Sequence, residues 1–228
     1  MRVVSISDTH TLHERIEYPE GDILLHSGDI LNSGYFNELN DLLPWAKEMA
    51  EKYPAVIFTP GNHDWCFYEG YPFGIPHPEV ARQMLEDCGW VVLIDQEYTH
   101  NGVKIYGAPW QPEFHNWAFN LPRNGKELVA KWKMIPDDTD ILMTHGPPKN
   151  IGDKTRSNYY AGCEALERRL YELKYAEDSK LKIHQFGHIH EGYGTYRDKY
   201  KEDLVYINAS ICTLRPLTTL NNPIITDI

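Results

Sequence analysis

Five short apolar runs in this chain each end in a segment of glycine, aspartate, asparagine or histidine, and that recurrence limits the folds open to it. Arg2–Ile6 leads into Asp8-Thr9-His10, Ile23–His26 into Gly28-Asp29, and Val56–Phe58 into Gly61-Asn62-His63-Asp64. Ile141–Met143 leads into Thr144-His145-Gly146, and Lys182–Phe186 into Gly187-His188-Ile189-His190. Runs of this length rich in β-branched residues read as strands. In α/β sheets the carboxyl ends of strands share one edge, where ligands bind. Five loops far apart in sequence can therefore meet at one point.

Further strands are expected at Val91–Ile94, Lys104–Tyr106 and Leu204–Ile207. Asn101-Gly102, between Glu97–Thr99 and Val103–Tyr106, is a two-residue hairpin signal. Helical patterns cover Phe36–Lys52, Glu79–Asp87, Lys126–Trp132 and Cys163–Leu173. Hairpin and crossover together predict mixed sheets covered by helices. No repeat and no Gly/Ser linker interrupts the 228 residues, so one domain over 1–228 is expected. Ala108–Gly125, rich in Trp, Phe, Asn and Pro, reads as a long ordered loop on that domain.

The net charge of -11 opposes binding to a nucleic-acid backbone, which needs Lys and Arg to displace counterions. Bound divalent cations would reverse the sign locally, so the argument concerns the surface and not a site. Cys66, Cys88, Cys163 and Cys212 form no CxxC pair, and no stretch has the length of a signal h-region or a membrane span. Reduced thiols in a cytoplasmic protein are the expectation. Monomer and homodimer both stay open.

Asp and His at alternate positions of an extended segment project to one side, so Asp8/His10 and His188/His190 can each offer two ligands. A mixed oxygen and imidazole set without cysteine suits Mn, Fe, Zn or Ni, with Co and Mg as further candidates. Two cations about 3.5–4 Å apart need a bridging carboxylate. Each motif alone has a plainer reading: a histidine after a strand is commonly a packed imidazole, and Gly-Asp is commonly a turn. The metal reading rests on all five occurring together.

The set DxH, GD, GNHD, THG and GHxH resembles the signature of calcineurin-like metallophosphoesterases. Tyr106-Gly107-Ala108-Pro109-Trp110-Gln111-Pro112, Phe119–Arg123, Thr144–Pro148, Gly187–Gly194 and Asn208-Ala209-Ser210 resemble the MPPED subgroup of that superfamily. The resemblance implies a four-layer α/β/β/α sandwich of two mixed β-sheets flanked by helices. It implies two divalent metal ions, Mn2+ foremost. Asp8, His10, Asp29 and His190 would surround one, and Asp29, Asn62, His145 and His188 the other, with Asp29 bridging. A hydroxide between the cations would attack phosphorus in line. His63 would protonate the leaving oxygen and Asp64 would orient its imidazole. The competing reading makes both residues structural. The residue at 64 is Asp where close relatives often carry Glu, and the match thins through Lys149–Ala161.

The leading function is hydrolysis of a small phosphodiester or cyclic nucleotide. Asn62, His63, Trp110 and Arg123 are candidate substrate contacts, and Tyr159-Tyr160 a further pair. Trp110, Phe114, Trp117 and Phe119 could wall a pocket or be core beneath the loop. His13, His26, His77, His100, His115 and His184 have no ligand context. A phosphomonoesterase or protein phosphatase is the alternative enzyme, but the arginines of GDxVDRG and RGNHE are missing here. A DNA nuclease is a third option, which the acidic balance disfavours. A nucleotide-binding metallo-module with slow turnover also stays open.

Overall fold

Strands that bury both faces need cover on each side, and this chain provides it by stacking two sheets and flanking them with helices. The computed structural model describes residues 1–69, 77–213 and 219–228. In chain order come β1 (Arg2–Ile6), β2 (Ile23–His26), α1 (Phe36–Lys52), β3 (Val56–Phe58), α2 (Pro78–Glu86) and β4 (Val91–Val92). Then follow β5 (Gln96–His100), β6 (Val103–Ala108), β7 (Gln111–Pro112), β8 (Asn120–Leu121), α3 (Lys126–Lys133) and β9 (Ile141–Thr144). The chain closes with α4 (Glu164–Tyr175), β10 (Ile183–Phe186), β11 (Gly194–Arg197), β12 (Val205–Asn208) and β13 (Ile224–Asp227).

One sheet has the order β13-β1-β2-β3-β4, and the second β11-β12-β10-β9-β6-β5. Both are mixed. Their inner strands run parallel, while β13, β11 and β5 pair antiparallel at the edges. Period-two alternation sorts the side chains into three hydrophobic layers. Val4, Ile6, Leu24, Val56 and Phe58 pack against Leu39, Leu42, Trp45, Ala46 and Met49 of α1 and Ala81 and Leu85 of α2. Their strand neighbours Val3, Ile23, Leu25 and Ile57 face Ile105, Ile141, Met143, Ile183 and Ile207 between the sheets. Tyr106, Leu142, Phe186 and Tyr206 form the far layer with Leu128, Trp132, Leu166 and Leu170 of α3 and α4. The result is the expected α/β/β/α order.

Differences from the sequence reading fall at the margins. β4 is two residues long where Val91–Ile94 suggested four, and the Ala108–Gly125 loop holds the short β7–β8 pair. β11 and β13 alternate between partly buried and exposed side chains, which leaves their apolar periodicity weak. At the β5–β6 turn, Asn101 (φ 49) and Gly102 (φ 80) are both left-handed, as a type I′ hairpin requires.

Two histidines lie inside strands with no exposure, His26 in β2 and His184 in β10. The Thr144 hydroxyl donates to the Gly146 carbonyl (2.8 Å) and therefore accepts from His184 Nε2 (2.9 Å), while the buried Nδ1 has no hydrogen-bond partner among the described residues. Burial lowers the His184 imidazole to about 3, and does the same to His26. In the unfolded chain each titrates at about 6.5, so the unfolded state takes up the proton first and stability is lost as pH falls from there toward 3. Each should add a slope of about 1.4 kcal/mol per pH unit to stability below about pH 6. Urea unfolding across acidic pH checks this. His184→Gln should remove one histidine's share of the slope, and an unchanged slope would count against it.

Candidate metal centre

The ends of β1, β2 and β3 in one sheet and of β9 and β10 in the other point to a common edge. The five histidine- and aspartate-bearing loops meet there. Ligand atoms of Asp8, His10 and His190 form one group and those of Asp29, His145 and His188 another, each within 4.8 Å of one another. The two sheets are fastened at this edge. Gln185 on β10 donates its side-chain amide to the Ile6 and Leu25 carbonyls (both 3.0 Å), and Ser7 bridges Ser210.

The backbone does not stay extended where the ligands begin. Asp8 (φ 51), His10 (φ 42), Asp29 (φ 54) and His188 (φ 65) are all left-handed. For residues with a Cβ this is costly and tends to cluster at functional sites. The alternate-position argument for Asp8/His10 and His188/His190 therefore fails in its premise. The turns re-aim each side chain individually, and His188 and His190 fall into different groups. Gly187 allows the approach: a Cβ there would collide with the Asp8 carboxylate and Ser7.

Hydrogen bonds fix which ring nitrogens face inward. His10 Nδ1 bonds to the Leu31 carbonyl (3.2 Å) and His145 Nδ1 to the Ser27 carbonyl (2.8 Å). A carbonyl only accepts, so both Nδ1 atoms carry the proton and Nε2 presents its lone pair to the site. These lone pairs face anions or other acceptors: Asp29 Oδ2 lies 3.9 Å from His10 Nε2 and 3.4 Å from His145 Nε2. Asn62 Oδ1 is 2.9 Å from the same His145 nitrogen. His190 Nε2 sits 3.2 Å from Asp8 Oδ1. Electron pairs aimed at one another need a positive charge between them, and cations fit this donor set. Asp29 stands between the two groups, since its Oδ2 faces a histidine of each.

Titration reflects the same crowding. Burial opposes the Asp8 charge, but the His190 imidazole beside it holds the carboxyl well below its usual range. Asp29 is likewise lowered against its burial, chiefly by His145. His145 rises to about 9 because the Asp29 charge outweighs burial, so a proton takes the place a cation would fill. Burial lowers His188 to about 3, keeping it an uncharged donor.

Three expectations are corrected by the geometry. Asp64 does not orient His63. It is fully buried and accepts from the backbone N–H of Asp29 (2.8 Å), Ile30 (3.4 Å), Leu31 (3.0 Å) and Gly61 (2.7 Å). It therefore shapes the loop that carries Asp29, and burial followed by the Asp29 charge pushes its carboxyl up to about 7. His63 bonds instead through Nδ1 to the Asn32 carbonyl and stacks on Trp117 at 4.0 Å. Arg123 commits its guanidinium to the Ala161 and Gly162 carbonyls and to Glu164, pinning the 161–164 loop rather than a substrate. Trp110 donates to Asp95 under the Lys131 ammonium and packs between two cores, away from the cavity.

The aromatic loop divides: Phe119 is core, whereas Phe114 is 53% exposed and lines a cavity of about 1060 Å³ beside the ligand groups. Arg15, Tyr159, Glu191 and Thr213 also line it. Sequence reasoning missed Ser210, whose hydroxyl reaches Asp8 Oδ2 at 2.9 Å, although the Asn-Ala-Ser run was visible. Asp64→Asn should weaken metal binding by about 10–100-fold, because the amide leaves backbone N–H groups around Asp29 unmatched. Calorimetric Mn2+ titration measures it, and unchanged affinity would count against Asp64 as the residue that shapes the Asp29 loop.

The comparisons with known proteins agree with this geometry. A calcineurin-like phosphoesterase family profile matches residues 1–192. Human Metallophosphoesterase domain-containing protein 1 is 35% identical over 248 aligned positions, which cover 100% of this chain and 71% of the human protein. UPF0046 protein C25E10.12 of Caenorhabditis elegans is 34% identical over 242 positions, covering 100% of this chain and 81% of the worm protein. Probable rhamnogalacturonate lyase C of Emericella nidulans is 36% identical over 202 positions, covering 85% of this chain and 17% of that protein. The chain belongs to the calcineurin-like phosphoesterase family, as a metal-dependent phosphoester hydrolase similar to the metallophosphoesterase-domain proteins.

Proposed function

We propose that this hydrolase acts on small phosphodiesters, cyclic nucleotides among them, with Mn2+ as its foremost metal. The observation that carries this reading is the cavity beside the ligand groups. At about 1060 Å³ it is far larger than a phosphate needs and in the range of organic ligand sites. Phe114 and Tyr159, 53% and 55% exposed, offer it aromatic surface for a substituent. Arg123, which lines it, is already committed to the 161–164 loop. That suits a singly charged diester better than a doubly charged monoester.

Two divalent cations, one held by Asp8, His10, Asp29 and His190 and one by Asp29, Asn62, His145 and His188, would supply positive charge to the phosphoryl oxygens and an acidified water as nucleophile. His63 then delivers the proton to the leaving oxygen. The Asn32 carbonyl requires a proton on Nδ1 in either charge state, so the exchangeable proton sits on Nε2. That nitrogen makes no hydrogen bond among the described residues, and His63 lines the cavity. Trp117 stacks on the ring at 4.0 Å and holds its plane.

A Mn2+-loaded substrate panel tests the reading, with bis-p-nitrophenyl phosphate, p-nitrophenyl phosphate and 2′,3′- and 3′,5′-cyclic nucleotides. Diester turnover should exceed monoester turnover, and the reverse order would overturn the proposal. Asp29→Ala should abolish activity and lower the content of both metals by elemental analysis; two retained metals would refute its bridging role. His63→Ala should leave metal content intact and slow alkyl esters by about 10²–10⁴. p-Nitrophenyl esters, whose leaving group needs no proton, should be affected far less. Equal slowing of both would argue against proton donation.

A further inference from the structure

We infer that Glu38, on the first turn of α1, is a positioning residue for His63 that acts through the backbone of Asn32-Ser33-Gly34. The inference rests on the reading of His63 as proton donor. One carboxylate oxygen, Glu38 Oε2, accepts the N–H groups of Asn32 (3.2 Å), Ser33 (2.9 Å) and Gly34 (3.0 Å). The Ser33 N–H and the Asn32 carbonyl belong to one planar trans peptide and point in opposite directions. Anchoring the N–H to Glu38 therefore aims the carbonyl away from α1, and its partner on that side is His63 Nδ1. The segment is also wedged against its target. Gly34 is left-handed (φ 65), and a Cβ there would meet the Trp65 backbone nitrogen and the His63 carbonyl. Asn32 is tied on a second side, its amide donating to Thr11 Oγ1 at 2.8 Å.

The plain alternative is that Glu38 merely caps a helix. An acid in the first turn that reaches back to preceding amides stabilises α1 and suits its dipole. A cap would alter stability alone. A positioning residue also alters which ring nitrogen of His63 holds the proton and how well Nε2 meets the leaving oxygen.

The test compares Glu38→Ala with Glu38→Gln in the metal-loaded enzyme. Glu38→Ala should slow an alkyl diester about tenfold through lost orientation, while bis-p-nitrophenyl phosphate stays within about twofold. Metal content should not change. Glu38→Gln, whose amide oxygen still accepts, should recover most of the alkyl-ester rate. In a His63→Ala background Glu38→Ala should add nothing. Independently of turnover, 15N NMR of the His63 ring in Zn2+-loaded protein should show a single Nδ1–H tautomer that becomes mixed in Glu38→Ala. An unchanged tautomer, equal slowing of both esters, or the same loss in the His63→Ala background would reduce Glu38 to a cap and overturn the inference. If His63→Ala itself fails to discriminate between leaving groups, the proton-donor reading fails instead. The tautomer measurement would still decide whether Glu38 sets the ring.

Discussion

Two carboxylates, Asp8 and Asp29, sit buried within a few ångströms of four imidazoles, and the arrangement of the surrounding edge follows from keeping them charged. A buried carboxylate is costly unless it is hydrogen-bonded and matched by positive charge. Asp8 takes the His188 N–H and the Ser210 hydroxyl, and Asp29 takes the His63 N–H on the oxygen that does not face the histidines. What remains of Asp29 faces His10 and His145, whose tautomers are fixed from behind by the Leu31 and Ser27 carbonyls, while Asp8 Oδ1 faces His190 Nε2. Protons can satisfy this electrostatic arrangement, and divalent cations satisfy it with more charge in fewer places.

The sandwich is the means of meeting that requirement. A single sheet edge would bring together only neighbouring strand ends. Stacking two sheets, with Gln185 tying β10 to the ends of β1 and β2, brings His145, His188 and His190 over Asp8, Asp29 and Asn62. The left-handed residues at Asp8, His10, Asp29 and His188 then turn each side chain out of its strand direction. Such backbone is tolerated because the surrounding hydrogen bonds over-determine it. Asp64, with four backbone amides on one carboxylate, is the clearest instance.

Several polar side chains suited by type to the chemistry are used for architecture. Asp64 builds the Asp29 loop, Arg123 holds the 161–164 loop, and Trp110 is locked to Asp95 and Lys131. In their place the cavity is walled by Phe114 and Tyr159, with Trp117 against His63. Aromatic residues within ten positions of one another thus divide between core and cavity. Residue type alone could not separate them, because the difference lies in what each ring packs against in the fold.

The residues that converge on the site, the strands that carry them and the layered α/β order were all legible in the sequence. Strand periodicity is local, and Asp-Thr-His, Gly-Asn-His-Asp and Gly-His-Ile-His are distinctive in composition. Mixed sheets covered by helices followed from where apolar runs alternate with helical periods, and their four-layer order from the family resemblance. β11 and β13 were not legible, because half-exposed edge strands carry a weak pattern. The work of Asp64 and the use of a backbone carbonyl rather than a carboxylate to hold His63 were decided by tertiary structure alone. Hydrogen bonds to main-chain groups leave no trace in residue identity. They depend on where a peptide plane faces, and that is fixed only when loops from two sheets are brought to one edge.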